Sequence, residues 1–241
     1  MHQNREMKTI IHKAETRGAA DHGWLKAKHT FSFANYYDPS RVHFGVLRVL
    51  NDDWVAPTMG FGLHPHDNME IITIPLEGAL RHRDSMGNEG VIEKNEVQVM
   101  SAGTGIYHSE HNASSELPVS LLQIWVMPNA KNVEPRYMQK RFDSADRQNK
   151  WQTIVSPDKS GLWVHQNTWF SLGDFSKENT TNYTLHQPEN GLYVFVIDGS
   201  IEIAGETLSK RDGMGIRDTN KVTLKAISDA QVLLMEVPMG L

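Results

Sequence analysis

Four side chains in two short segments have the types and the spacing to hold a metal ion. In Gly60-Phe-Gly-Leu-His64-Pro-His66 two imidazoles stand two residues apart. In Gly103-Thr-Gly-Ile-Tyr-His108-Ser-Glu110-His-Asn112 an imidazole and a carboxylate do the same. Residues i and i+2 of a β-strand share a face, so each pair points one way and two neighbouring strands could aim all four groups at one point. Pro65 faces away and has no N–H to give to a ladder, which suits an edge or bulged strand at a barrel mouth. With 12 His in the chain, about 0.6 His-x-His pairs arise by chance, so neither pair carries weight alone. The second pair, about forty residues on and flanked by Gly103, Gly105 and Asn112, supplies it.

The elements that must position these groups read as strands. Short apolar runs recur at Phe44–Leu50, Ile71–Leu76, Val97–Met100, Val119–Val126, Leu192–Ile197, Val222–Ala226 and Val232–Val237, broken by Gly, Asn, Asp and Pro. None is long enough for a convincing helix, so the fold is expected to be mainly β. Asp198-Gly199 between two such runs predicts a hairpin, because Gly supplies positive φ cheaply. The polar stretch Asn129–Lys150 divides the chain, with a helical turn expected near Ser144, and gives domains 1–133 and 134–241. Ile71-Ile-Thr-Ile-Pro-Leu-Glu-Gly78 resembles Leu192-Tyr-Val-Phe-Val-Ile-Asp-Gly199, which points to internal duplication. Ungapped superposition sets Leu185 and Gln187 opposite His64 and His66, and Leu224 and Ala226 opposite His108 and Glu110. The second half is therefore expected to have the fold without the ligands.

Composition excludes several functions. The 241 residues carry a formal net charge of −5 with scattered Lys and Arg, which argues against direct nucleic-acid binding. With no Cys in the chain, thiolate metal sites, Fe–S clusters, disulfides and cysteine nucleophiles are excluded. Met1–Gly18 has no signal-peptide core, and no apolar run approaches the ~20 residues that span a bilayer. A cytoplasmic protein without a membrane partner is expected. His12, His43, His82, His165 and His186 lack a same-face ligand partner and read as surface or hydrogen-bonded residues, and His111 should face away from Glu110. The aromatic residues Trp24, Phe31, Phe33, Tyr36 and Tyr37 read as core ahead of pocket wall.

Two longer patterns resemble a known family. His-x-His before a Gly turn, followed by Gly-x-x-His-x-x-x-Asn at Gly105, His108 and Asn112, resembles the two cupin motifs. His22-Gly-Trp-Leu, His29-Thr-Phe-Ser-Phe-Ala-Asn-Tyr-Tyr-Asp-Pro39, Ser101-Ala-Gly-Thr-Gly-Ile-Tyr-His-Ser-Glu110 and Leu122-Gln-Ile-Trp-Val126 resemble the pirins, two-domain cupins. The resemblance implies two jelly-roll antiparallel β-barrels, with the metal only in the first. It also implies His64, His66, His108 and Glu110 as ligands. Many other cupins use a carboxylate near the position of Glu70, but the same-face spacing and the pirin pattern favour Glu110. Glu70 is then a supporting residue or a simple strand acid.

Three imidazoles and one carboxylate suit one divalent transition metal, Fe(II) before Zn, Ni or Cu, with two coordination positions left open. The implied activity is quercetin 2,3-dioxygenase chemistry. A flavonol and O₂ would be the substrates, Glu110 the base for the 3-hydroxyl, and the protein a monomer. The alternative is a metal-responsive regulatory binder.

Overall fold

The computed structural model describes residues 6–240, so the first five residues of the polar Met1–Gly18 segment lie outside it, as does Leu241. The first half contains β1 (Lys8–His12), β2 (Gly18–Asp21), β3 (Leu25–His29), β4 (Leu47–Val55), β5 (Gly60–His66) and β6 (Glu70–Glu77). It continues with β7 (Ala79–Asp84), β8 (Glu89–Glu93), β9 (Glu96–Ser101), β10 (Ile106–Asn112), β11 (Val119–Val126) and β12 (Arg136–Arg141). The second half has β13 (Gln152–Ser156), β14 (Leu162–Trp163), β15 (Trp169–Phe175), β16 (Thr180–Thr184) and β17 (Asn190–Asp198). It ends with β18 (Ser200–Ile203), β19 (Glu206–Ser209), β20 (Gly213–Arg217), β21 (Lys221–Ala226) and β22 (Ala230–Pro238).

Each half is a cupin jelly roll made of a seven-stranded and a four-stranded sheet. The N-terminal orders are β12-β9-β6-β11-β4-β3-β2 and β5-β10-β7-β8. The C-terminal orders, β1-β20-β17-β22-β15-β13-β14 and β16-β21-β18-β19, repeat them except at the β14 edge, where β14 follows β13 and lies parallel to it. All pairings between these strands are antiparallel except that of β13 with β14.

Two edge strands cross the division expected at residue 133. β1 pairs with β20 in the C-terminal sheet, and β12 pairs with β9 in the N-terminal sheet. Each jelly roll thus takes one edge strand from the segment leading into the other. The predicted helical turn is a 3₁₀ turn at Ser144–Arg147, where the Asp143 side chain caps the N–H of Ala145 at 2.9 Å.

Strand burial explains the two kinds of apolar run. β6 and β17 are buried on both faces, because one face lines its own barrel and the other packs against the opposite seven-stranded sheet. Leu192, Val194 and Val196 enter the C-terminal barrel core, while Tyr193, Phe195 and Ile197 join Ile72, Ile74, Leu122 and Ile124 in a core between the halves. β10 in the four-stranded sheet alternates buried and solvent-facing residues, the period-2 pattern of a half-buried strand.

Asp198-Gly199 does not form a hairpin. β17 belongs to the seven-stranded sheet and β18 to the four-stranded one, so the dipeptide is a corner at which the chain changes sheets. Gly199 has φ of 77°, and a Cβ there would lie 2.0 Å from the Asp229 carbonyl oxygen. Positive φ and close packing, which the sequence pattern reads as a tight hairpin, serve equally well at a corner.

Candidate metal centre

The two pairs meet because β5 and β10 are antiparallel neighbours. His108 lies opposite His64, and Ile106 lies opposite His66. A bulge then inserts one extra residue on β5, so that Glu110 faces Phe61. The three imidazole centroids lie 4.4–4.9 Å apart. His64 Nδ1 is 2.8 Å from the Gly62 carbonyl oxygen. A carbonyl only accepts, so Nδ1 carries the proton and Nε2 presents its lone pair to the centre.

His64 Nε2 and His108 Nε2 are 2.9 Å apart. Two nitrogens at adjacent positions around an ion, each about 2.1 Å from it, would be separated by about 3.0 Å, so this spacing fits a shared metal. Burial, then the neighbouring His64, hold His66 down at about 4. The same two causes, with His66 and His82 adding to them, hold His108 lower still. Both therefore stay neutral, as ligands must be.

Glu110 is 1% exposed and shares the inner face of β10 with His108. Its carboxylate accepts from Gln123 Nε2 at 2.9 Å, and the Thr73 hydroxyl lies 3.4 Å from it. Glu110 is not in the tight group of His64, His66 and His108; its carboxylate groups instead with His82 and His108, each set having its donor atoms within 4.8 Å. Burial raises Glu110 to about 7, against the lowering effect of Gln123 and Thr73. Asp53, deeper in the barrel, is raised to about 8, first by burial and then by Asp52 and Glu110.

Glu70 faces the other way. β6 directs Ile71 and Thr73 into the barrel and Glu70 toward the second half, where its carboxylate accepts from Ser101 Oγ at 2.8 Å. Arg136 reaches the same hydroxyl at 3.1 Å and lies over the Trp163 ring. Glu70 therefore neither belongs to the centre nor supports it directly.

His82, read as a surface or hydrogen-bonded histidine, is hydrogen-bonded and lies beside the site. It is fully buried, pairs across strands with Glu110, and places Nε2 3.1 Å from Asp84. The signal was in Leu80-Arg-His82-Arg-Asp84, where exposed Arg81 and Arg83 set the inner face to Leu80, His82 and Asp84. His12 and His186 are hydrogen-bonded, as read, to Tyr193 and Glu236. The aromatic residues divide: Phe31 is in the core between the halves, Tyr37 is 74% exposed, and Phe33 packs on Trp125, whose ring meets His66 at 4.9 Å. Asn112 ties the end of β10 to the carbonyls of Val55, Ala56 and Leu117.

The second half offers no such group among the described residues. Matching the corners at Gly78 and Gly199, and then the strand pairings, sets Tyr183, Leu185, Val222 and Leu224 opposite His64, His66, His108 and Glu110. The ungapped superposition was two residues out, because the loops between corner and strand differ in length. Ile203 replaces His82 in an interior built largely from apolar side chains, in which the buried Glu236 carboxylate is taken up by Tyr183, His186, Gln187 and Asn190.

These ionisations set a pH dependence. In the metal-free chain Glu110 keeps its proton below about 7, while His66 and His108 are already neutral there. A metal that takes the carboxylate must displace that one proton. Affinity for Ni(II) should fall by at least about tenfold per pH unit below about 7 and level off above it. An affinity that stayed flat from pH 7 down to the ordinary carboxylate range would contradict this.

Family models for pirin and for the quercetinase C-terminal cupin domain match residues 11–126 and 153–237. The chain is 45% identical over 236 residues to the quercetin 2,3-dioxygenase of Escherichia coli K12, covering 95% of this chain and 98% of that one. The crystal structure of YhhW from E. coli superposes with a TM-score of 0.92 at 43% identity, over 96% of this chain and 98% of that one. A second structure, of the bacterial pirin YhhW in complex with nickel(II), gives 0.91 at 42% identity, over 96% and 99%. With its two jelly rolls and, among the described residues, a convergent histidine group in the first alone, the chain belongs to the pirin family.

Proposed function

We propose that this pirin is a metal-dependent dioxygenase that opens the central ring of quercetin-like flavonols with O₂, and that His64, His66, His108 and Glu110 hold its one divalent ion, Fe(II) by preference. The observation that carries the reading is the convergence of three imidazoles at a barrel mouth, with a buried carboxylate on the same strand face as one of them. Similarity to the E. coli quercetin 2,3-dioxygenase over nearly the whole of both chains supports it.

A bound ion would supply a Lewis acid that brings an anionic substrate together with O₂. The chain's own residues do the rest. Glu110 takes the proton of the flavonol 3-hydroxyl, and among the described residues it has no Lys or Arg partner to compete with that role. Gln123 holds the carboxylate in place. Phe33 and Trp125 form an aromatic wall beside His66, suited to a flat ring system.

The test is aerobic turnover of a flavonol panel by protein reconstituted separately with Fe(II), Ni(II), Cu(II) and Zn(II). Ring cleavage with one O₂ consumed and one carbon monoxide released per flavonol is the expected result. A stoichiometrically loaded protein that consumes no flavonol with any metal would leave the regulatory reading in its place.

A further inference from the structure

Behind the mouth histidines lies a second convergence of donors. His82, His108 and Glu110 are 0%, 0% and 1% exposed, and one donor atom from each lies within 4.8 Å of the others. The His82 ring centroid is 5.4 Å from that of His108, and the ring stacks on Tyr137 at 4.7 Å. His82 Nε2 faces Asp84 Oδ2 at 3.1 Å. An ionised carboxylate only accepts, so Nε2 carries the proton and Nδ1 the lone pair. Asp84 is itself fixed by the Asn88 amide and by the backbone N–H groups of Met86 and Asn88.

A carboxylate that sets the tautomer and tilt of an imidazole, so that the other nitrogen is presented, is the usual support behind a metal-bound histidine. Here the presented atom has no partner. Nδ1 of His82 and Nδ1 of His108 are both buried and unpaired. Two buried imidazole nitrogens without a partner, beside a buried carboxyl group, are donor atoms that a cation would satisfy.

We propose that His82, His108 and Glu110 form an inner seat for a divalent transition metal, an alternative to the outer seat at His64, His66 and His108. The two seats share His108 and, when the outer ion draws on it, Glu110. They are therefore filled one at a time, and the chain holds one ion in either place. Two imidazoles and a carboxylate suit the same borderline metals as the outer set. The seats differ in access. All three inner donors are buried, whereas His64 and His66 are partly exposed, so an ion in the inner seat is stored out of reach of substrate.

The test uses metal binding and does not depend on turnover. The full-length chain carrying His64→Ala and His66→Ala is stripped with chelator and titrated with Co(II), whose visible spectrum reports its ligands. One Co(II) per chain is expected, with a spectrum unlike that of the wild type. Adding His82→Leu should weaken this binding by at least about tenfold. No specific Co(II) in a double variant with a native circular dichroism spectrum, or an affinity indifferent to His82→Leu, overturns the proposal. The milder His64→Gln variant, crystallised and soaked with Zn(II), gives a second reading. An anomalous peak bounded by His82 and Glu110 supports the inner seat. A peak only at the mouth, or no peak, overturns it.

Discussion

Replacing His108 with alanine is expected to leave a folded chain that retains less than about a tenth of an ion after dialysis, against about one in the wild type. His108 is the residue common to both donor groups, and without it His64 and His66 are left as a pair with Glu110 outside their tight group. Loss of a direct ligand should exceed the 10- to 100-fold that a supporting residue costs. Thermal melts give an independent reading. An ion at about a thousand times its Kd stabilises the native state by about 4 kcal/mol, so added Ni(II) should raise the wild-type melting temperature and leave the variant's unchanged. The cavity left by the buried imidazole lowers the starting stability, which is why the comparison is made within each protein, with and without metal. A variant that binds one ion with wild-type affinity would remove His108 from the centre.

What could be read in the sequence was whatever obeys a local rule. Same-face spacing paired His64 with His66 and His108 with Glu110, and the β10 face is as that rule requires. The duplicated strand before Gly78 and Gly199 revealed the repeat. Features that depend on which strands become neighbours were not legible. Asp198-Gly199 has the chemistry of a tight turn, but hairpin and corner differ only in which sheet receives the next strand. The exchange of β1 and β12 between the halves joins segments far apart in sequence, and no local pattern encodes it. His82 was a different case. Its alternation with Arg81 and Arg83 was visible, but its worth depends on lying across from Glu110, a fact of strand pairing. Glu70 shows the converse: its position in the motif suggested a ligand, whereas strand parity, set by Ile71 and Thr73 facing inward, turns it to the other side of the sheet.

That parity separates the two acids by experiment. Glu110→Gln keeps the shape of the side chain but turns one of its two acceptor oxygens into a donor and removes its charge and its capacity to take a proton at neutral pH. If Glu110 is a ligand and the base for a flavonol hydroxyl, metal retention and ring cleavage should fall together. Turnover should stay low even when excess metal refills the site, because restored occupancy does not restore a base. Glu70→Gln should leave metal affinity and its pH dependence unchanged, since Glu70 meets Ser101 between the two halves and no member of the histidine group. Its effect should be on stability. Burial, opposed by Ser101, the His165 backbone and Arg136, raises Glu70 to about 7, well above the ordinary carboxylate value. A group raised in this way favours the folded chain only while protonated, so its ionisation costs stability as pH climbs from the ordinary carboxylate value toward 7. Removing the ionisable group should flatten that part of the stability profile without touching the metal. Full metal and full turnover in Glu110→Gln, with both lost in Glu70→Gln, would mean that the barrel interior is not where the carboxylate ligand lies, and the strand parity argued here would have to be wrong.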